Sequence, residues 1–164
     1  MNQPLESREP SVQDLVELCR HLNEAGARYI VVGGFAVRAA GYDRRTMDID
    51  LLVDASLENE ARVYQALGSL PDQAVRELTP GEVAKYTVVR VADEIVVDLM
   101  QSASGIDYAA AVDEIVYHEV DGVRIPFASP RLLYKMKRGS YREKDAADVH
   151  FLRLTLERAG DLPD

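Results

Sequence analysis

Apolar residues recur along this chain with two periods, one helical and one strand-like. Val12, Leu15, Val16, Leu18, Cys19 and Leu22 fall on one helical face. Ser11 precedes them as a natural N-cap, Asp14 sits three positions on, and Gly26 ends the run. "RYIVV" (28–32) is short and continuously apolar, which predicts a buried strand. Gly33-Gly34 then turns the chain into a short helix, "FAVRAA", closed by Gly41. After the polar loop "YDRR", the Ile, Leu and Val of "TMDIDLLVD" (46–54) predict a second strand. Helical spacing returns in "SLENEARVYQALGSL" (56–70), with Ser56 as cap, and 71–81 form an irregular acidic connection. "EVAKYTVVRV" (82–91) and "EIVVDLM" (94–100) predict an antiparallel hairpin turned near Ala92–Asp93. A short helix over 106–112 leads to a second hairpin, "EIVYHEV" and "VRIPFA", turned at Asp121-Gly122. Ser129-Pro130 starts a helix that stops at Gly139, and "REKDAADVHFLRLTLERA" (142–159) is the last.

This order predicts an α/β single domain, a mixed β-sheet with helices packed on it. The 164 residues suit one domain over 11–160, preceded by a flexible polar tail over 1–10. Neither an internal repeat nor a linker interrupts it.

Composition narrows the function classes. No apolar run approaches the roughly 18–20 residues that span a bilayer, and "MNQPLESREP" lacks the apolar segment of a signal peptide. The lone Cys19 allows neither an internal disulfide nor a cysteine zinc site, so a cytoplasmic setting is expected. A net charge of −9 argues against a broad nucleic-acid surface. Within "RLLYKMKRGSYREK" (131–144), however, six cations face only Glu143. A local +5 in a chain that is otherwise −14 suggests a focused anion site, although a solvated cationic helix face gives the same pattern.

The anomaly is Asp48 and Asp50, set into an apolar strand. Residues i and i+2 of a strand share a face, with Cα atoms roughly 6–7 Å apart. Two such carboxylates repel unless a cation lies between them, and Mg²⁺ takes oxygen ligands of this kind together with substrate phosphates. Ion pairing of Asp50 with Arg44 or Arg45 is the plainer alternative. Gly33-Gly34, at a strand-to-helix junction, lets the backbone approach a phosphate closely. Asp98 is a third aspartate inside an apolar strand. Brought beside the other two by sheet pairing, it would complete a two-metal site for in-line phosphoryl displacement, with one acid free to act as base.

Taken together, "VVGGFAVRAAGYDRRTMDIDLLVD" and the later Asp98 resemble the signature of the DNA-polymerase-β-type nucleotidyltransferase superfamily. The tail, "SPRLLYKMKRGSYREKDAADVHFL", is similar to the AbiEii-type branch, which includes type IV toxin–antitoxin nucleotidyltransferases. The resemblance implies an Mg²⁺-dependent (or Mn²⁺-dependent) nucleotidyltransferase domain over 11–160. It would move an NMP from an NTP to a hydroxyl on RNA, a protein side chain or a small molecule, releasing pyrophosphate. Asp48 and Asp50 would ligate metal, Asp98 would be the third acid, and Gly33 and Gly34 would contact phosphates. Lys135 or Lys137 would meet the triphosphate, and Arg142, Lys144, Asp145 and Asp148 match the family's nucleotide-side pattern. An antitoxin partner follows if the toxin likeness extends that far. The commoner Gly-Ser of the superfamily is Gly-Gly here, as in many AbiEii-type relatives. A catalytically degenerate nucleotide-binding or protein-interaction module of the same fold is the alternative. His21, His118 and His150 have no ligand spacing, and Tyr86, Tyr108, Tyr117, Tyr134 and Tyr141 are available to stack on a base.

Overall fold

A computed structural model describes residues 6–164. The elements, in chain order, open with α1 (Val12–Glu24), β1 (Tyr29–Val32), α2 (Gly33–Ala39), β2 (Ile49–Val53), α3 (Leu57–Leu67) and α4 (Glu82–Lys85). There follow β3 (Val89–Ala92), β4 (Val96–Met100), a small hairpin of β5 (Ser102–Ala103) and β6 (Ile106–Asp107), and α5 (Tyr108–Ala111). β7 (Ile115–Val120), β8 (Val123–Ala128), α6 (Pro130–Lys137) and α7 (Glu143–Ala159) complete the chain. The main sheet runs β3-β4-β2-β1-β8-β7 and is mixed: β2–β4 and β1–β8 are parallel, the other neighbours antiparallel. This is the α/β single domain that the alternating periods predict.

Local chemistry accounts for most boundaries. Ser11 and Asp14 form a reciprocal capping box, and Ser56 and Ser129 cap α3 and α6 through their hydroxyls. Asp121 and Gly122 both adopt positive φ, 51° and 77°, which suits the tight turn between β7 and β8. The central strands β1 and β2 are buried at every position except Asp50, which is half-buried. One interior polar residue is therefore singled out by its surroundings. Among the described residues no helix is long and apolar enough to cross a membrane.

Three local differences from the sequence reading have identifiable causes. The stretch expected to be strand from residue 82 instead begins as α4, because buried Glu60 on α3 accepts the Gly81 and Val83 backbone N–H groups at 2.8 and 3.0 Å. Those donors would otherwise go unpaired at a helix start, so the carboxylate favours a helical turn there. The short helix begins at Tyr108 rather than Ile106, since Asp107 caps it and Ile106 pairs in β6. Of the tail expected over 1–10, residues 1–5 lie outside the described residues. Ser7 and Arg8 bond to the Asp93 and Glu94 carbonyls at 2.7 and 2.9 Å, and Glu9 pairs with Arg45 at 2.8 Å.

Candidate active site

Asp50 on β2 lies directly opposite Asp98 on β4, and β2 itself begins one residue after Asp48. The strand expected from residue 46 starts only at Ile49; Thr46 holds the approach by donating its hydroxyl to the Asp48 carbonyl at 3.0 Å. Two residues of spacing and one register pairing thus bring three acids to one face. Asp48, Asp50 and Asp98 each offer a carboxylate oxygen within 4.8 Å of the others.

That proximity is electrostatically unfavourable in the bare protein. Burial, and then the charges of Asp48 and Asp98, push the Asp50 carboxyl up to about 7, while Lys137 and Lys144 pull the other way. Asp48 is also raised, by burial first and by Asp98 second. Three hard oxygen donors this close fit a divalent cation such as Mg²⁺, whose charge would reverse the sign of the interaction.

Arg90 on β3 joins the cluster, which the sequence pattern does not predict. It pairs with Asp98 in the β3–β4 ladder, and its guanidinium grips both Asp98 oxygens, each at 3.0 Å, and reaches Asp48 Oδ2 at 3.3 Å. The hairpin register is centred on Glu94, not on Ala92–Asp93 as expected, and that displacement hid the pairing. A turn placed on Asp93-Glu94-Ile95 would have revealed it.

The glycine pair is required by space. Gly33 has φ +68°, and a β-carbon there would overlap the Asp50 carboxylate. At Gly34 a β-carbon would overlap the Thr46 side chain. Gly33→Ala is therefore expected to cost about 1–3 kcal/mol in a denaturant titration, from left-handed strain plus displacement of Asp50. An unchanged midpoint would contradict this packing.

Cations also line this cleft, which encloses about 680 Å³, within the range of small-molecule sites. Of the two lysines that the sequence left open, only Lys137 lines the cleft. Its Nζ lies 2.9 Å from Asp145 Oδ1 and 3.0 Å from Asp148 Oδ2 on the cleft wall, whereas Lys135 pairs with Glu114 and does not line the cleft. Arg142 and Lys144 also line it, and among the described residues Lys144 has no carboxylate partner within 4.0 Å. Asp145 and Asp148 are buried and held by cations: Asp145 by Lys137, Arg142 and the Ser140 hydroxyl, Asp148 by Lys137 and Arg44. As placed, these acids orient the cationic wall. None of the five tyrosines and three histidines is among the cleft-lining residues.

Burial opposes the charge of Asp145, but bonds from Ser140 and Lys137, with the Lys137 charge, hold it down at about 2 against an ordinary 3.8. A depressed carboxyl contributes stability above its unfolded pKa and loses it as pH falls through the folded one. About 2 kcal/mol should therefore disappear between pH ~4 and ~2. Acid unfolding followed by circular dichroism should show this limb in the native chain and a flatter one in Asp145→Asn.

The family model described as nucleotidyl transferase of unknown function (DUF2204) matches residues 11–158. Three solved structures share the fold. A nucleotidyltransferase candidate (TM1012) from Thermotoga maritima superposes with TM-score 0.53 at 17% identity, over 90% of this chain and 92% of that one. Lincosamide antibiotic adenylyltransferase LnuA, lincomycin-bound, gives 0.52 at 15% identity, over 88% and 98%. An antigenic nucleotidyltransferase-like protein from Paracoccidioides brasiliensis gives 0.53 at 16% identity, over 92% and 78%. At these identities the likeness shows fold alone. No curated protein matches the sequence.

Proposed function

Since the chain belongs to the nucleotidyl transferase family of unknown function, we propose that it transfers an NMP from an NTP to a hydroxyl acceptor in a divalent-metal-dependent reaction. The observation that carries the reading is the convergence of Asp48, Asp50 and Asp98 within 4.8 Å in a cleft that Lys137, Arg142 and Lys144 also line. Asp48, Asp50 and Asp98 would hold Mg²⁺, which when bound supplies charge neutralisation of the phosphates and orientation of the reacting oxygens. Lys137, Arg142 and Lys144 bind the triphosphate, and the Gly33-Gly34 turn lets the backbone come close to it. Met100, Leu133 and Met136 give the cleft an apolar wall for the base. The acceptor oxygen attacks the α-phosphorus, its proton passes to Asp98, and the bond to pyrophosphate breaks with its electron pair leaving on pyrophosphate.

For the acceptor we favour a small hydroxylated molecule. LnuA, an antibiotic adenylyltransferase, is matched over 98% of its own length. RNA would have to dock on the cationic wall of a −9 chain. The AbiEii-type likeness of the tail, an antitoxin partner and a cytoplasmic setting belong to this proposal at its outer edge. A second reading, a nucleotide-binding module without catalysis, is favoured by the Arg90 guanidinium standing on two of the three acids.

Incubation with each α-labelled NTP and Mg²⁺ or Mn²⁺, against RNA, protein and small-molecule pools, tests the choice. Label in an acceptor with release of pyrophosphate supports the enzyme. Nucleotide binding without transfer to any pool supports the module and overturns the catalytic reading.

A further inference from the structure

Arg90 occupies the oxygens that a metal would need. Its Nε donates to Asp98 Oδ1 and its Nη2 to Asp98 Oδ2, both at 3.0 Å, and the same Nη2 lies 3.3 Å from Asp48 Oδ2. This is the fork-on-carboxylate arrangement that a planar guanidinium makes and an ammonium does not. A carboxylate gripped on both oxygens is also a poor acceptor for a substrate proton. Asp98 is only 6% exposed, so its partner matters to it, yet the Arg90 side chain is 60% exposed and has open space to leave into. The neighbouring residues 84–88 are exposed as well. One guanidinium against three acids leaves the cluster with negative charge to spare, so a dication is still attracted.

Resting on the metal-dependent reading above, we propose that Arg90 is the resident counter-ion of the triad and competes with the divalent cation for Asp48 and Asp98. It holds the acids together in the metal-free protein and is displaced when the cation enters, which frees Asp98 to act as base. Because the arginine is largely solvated, the pair is modest in strength and sets the metal affinity without blocking it.

The test is a calorimetric titration of Mn²⁺, alone and at saturating ATP, into the native chain, Arg90→Met and Arg90→Lys, each checked for its fold by circular dichroism. Arg90→Met removes charge and bridge together. Arg90→Lys keeps the charge but cannot fork both Asp98 oxygens while reaching Asp48. Competition predicts binding about fivefold tighter in Arg90→Met and about twofold tighter in Arg90→Lys, the scale of an ion pair with one exposed partner. In the native chain the Arg90 Nε–H resonance, assigned by its loss in Arg90→Met, should move to a solvent-like position on adding Mg²⁺. Equal or weaker Mn²⁺ binding in both variants, or an Arg90 resonance indifferent to Mg²⁺, overturns the inference and leaves the proposed function standing. Failure of Mn²⁺ to bind any of the three proteins overturns both.

Discussion

Asp50→Asn should lower NMP transfer on the order of a thousandfold or more while making the metal-free protein more stable. The loss follows from removing a carboxylate that faces both Asp48 and Asp98 in the cluster, since metal assistance of phosphoryl displacement is worth several kcal/mol of barrier. The gain has the opposite sign because Asp50 is half-buried between two like charges. At an effective dielectric near 20, each like-charge contact of this length costs on the order of 3 kcal/mol, and an amide that donates to Asp48 or Asp98 replaces repulsion with attraction. Thermal unfolding with and without Mg²⁺ separates the terms. The variant should melt higher without metal, and the native chain should overtake it at saturating Mg²⁺, which stabilises only the protein that binds it. Retained transfer activity in Asp50→Asn would remove this residue from the chemistry.

The second large effect lies at Lys137. Its ammonium is buried between Asp145 and Asp148, at 2.9 and 3.0 Å, and those carboxylates are themselves buried. Lys137→Met keeps the aliphatic stem and leaves two interior acids short of one cation. Breaking a buried pair from one side costs about 3–5 kcal/mol, moderated here by Arg44 and Arg142, which remain on Asp148 and Asp145. Nucleotide affinity should fall as well, because Lys137 is the lysine of α6 that lines the cleft. Adding Asp145→Asn to Lys137→Met should restore much of the melting temperature and none of the nucleotide affinity. Recovery of both would mean that Lys137 acts on the fold alone.

Much of this arrangement was legible from residue spacing. The i, i+2 rule put Asp48 and Asp50 on one face, the glycines marked the turn beside them, and an aspartate inside "EIVVDLM" flagged β4. What stayed hidden depends on contacts between distant segments. That β4 lies next to β2, with Asp98 facing Asp50, is a parallel pairing across almost fifty residues that no local pattern encodes. The place of Arg90 depends on a hairpin register centred on Glu94, and α4 on a carboxylate of another helix. Lys135 and Lys137 could have been separated. Two positions on a helix differ by about 200°, so only one of the pair can share a face with the apolar cleft residues Leu133 and Met136. The roles of Asp145 and Asp148 needed Arg44, more than a hundred residues earlier, to be in view.

The cross-strand row Arg90–Asp98–Asp50 also bears on how the sheet finds its alignment. Slipping β4 by a single residue against β2 would rotate Asp98 into the layer now filled by Val97 and Leu99, both fully buried, and would turn a valine or leucine toward the cleft. A stranded carboxylate in that greasy layer is far less tolerable than a misfit between two aliphatic chains. The acid proposed for the chemistry would thereby also penalise odd-numbered misalignments as the sheet closes around it.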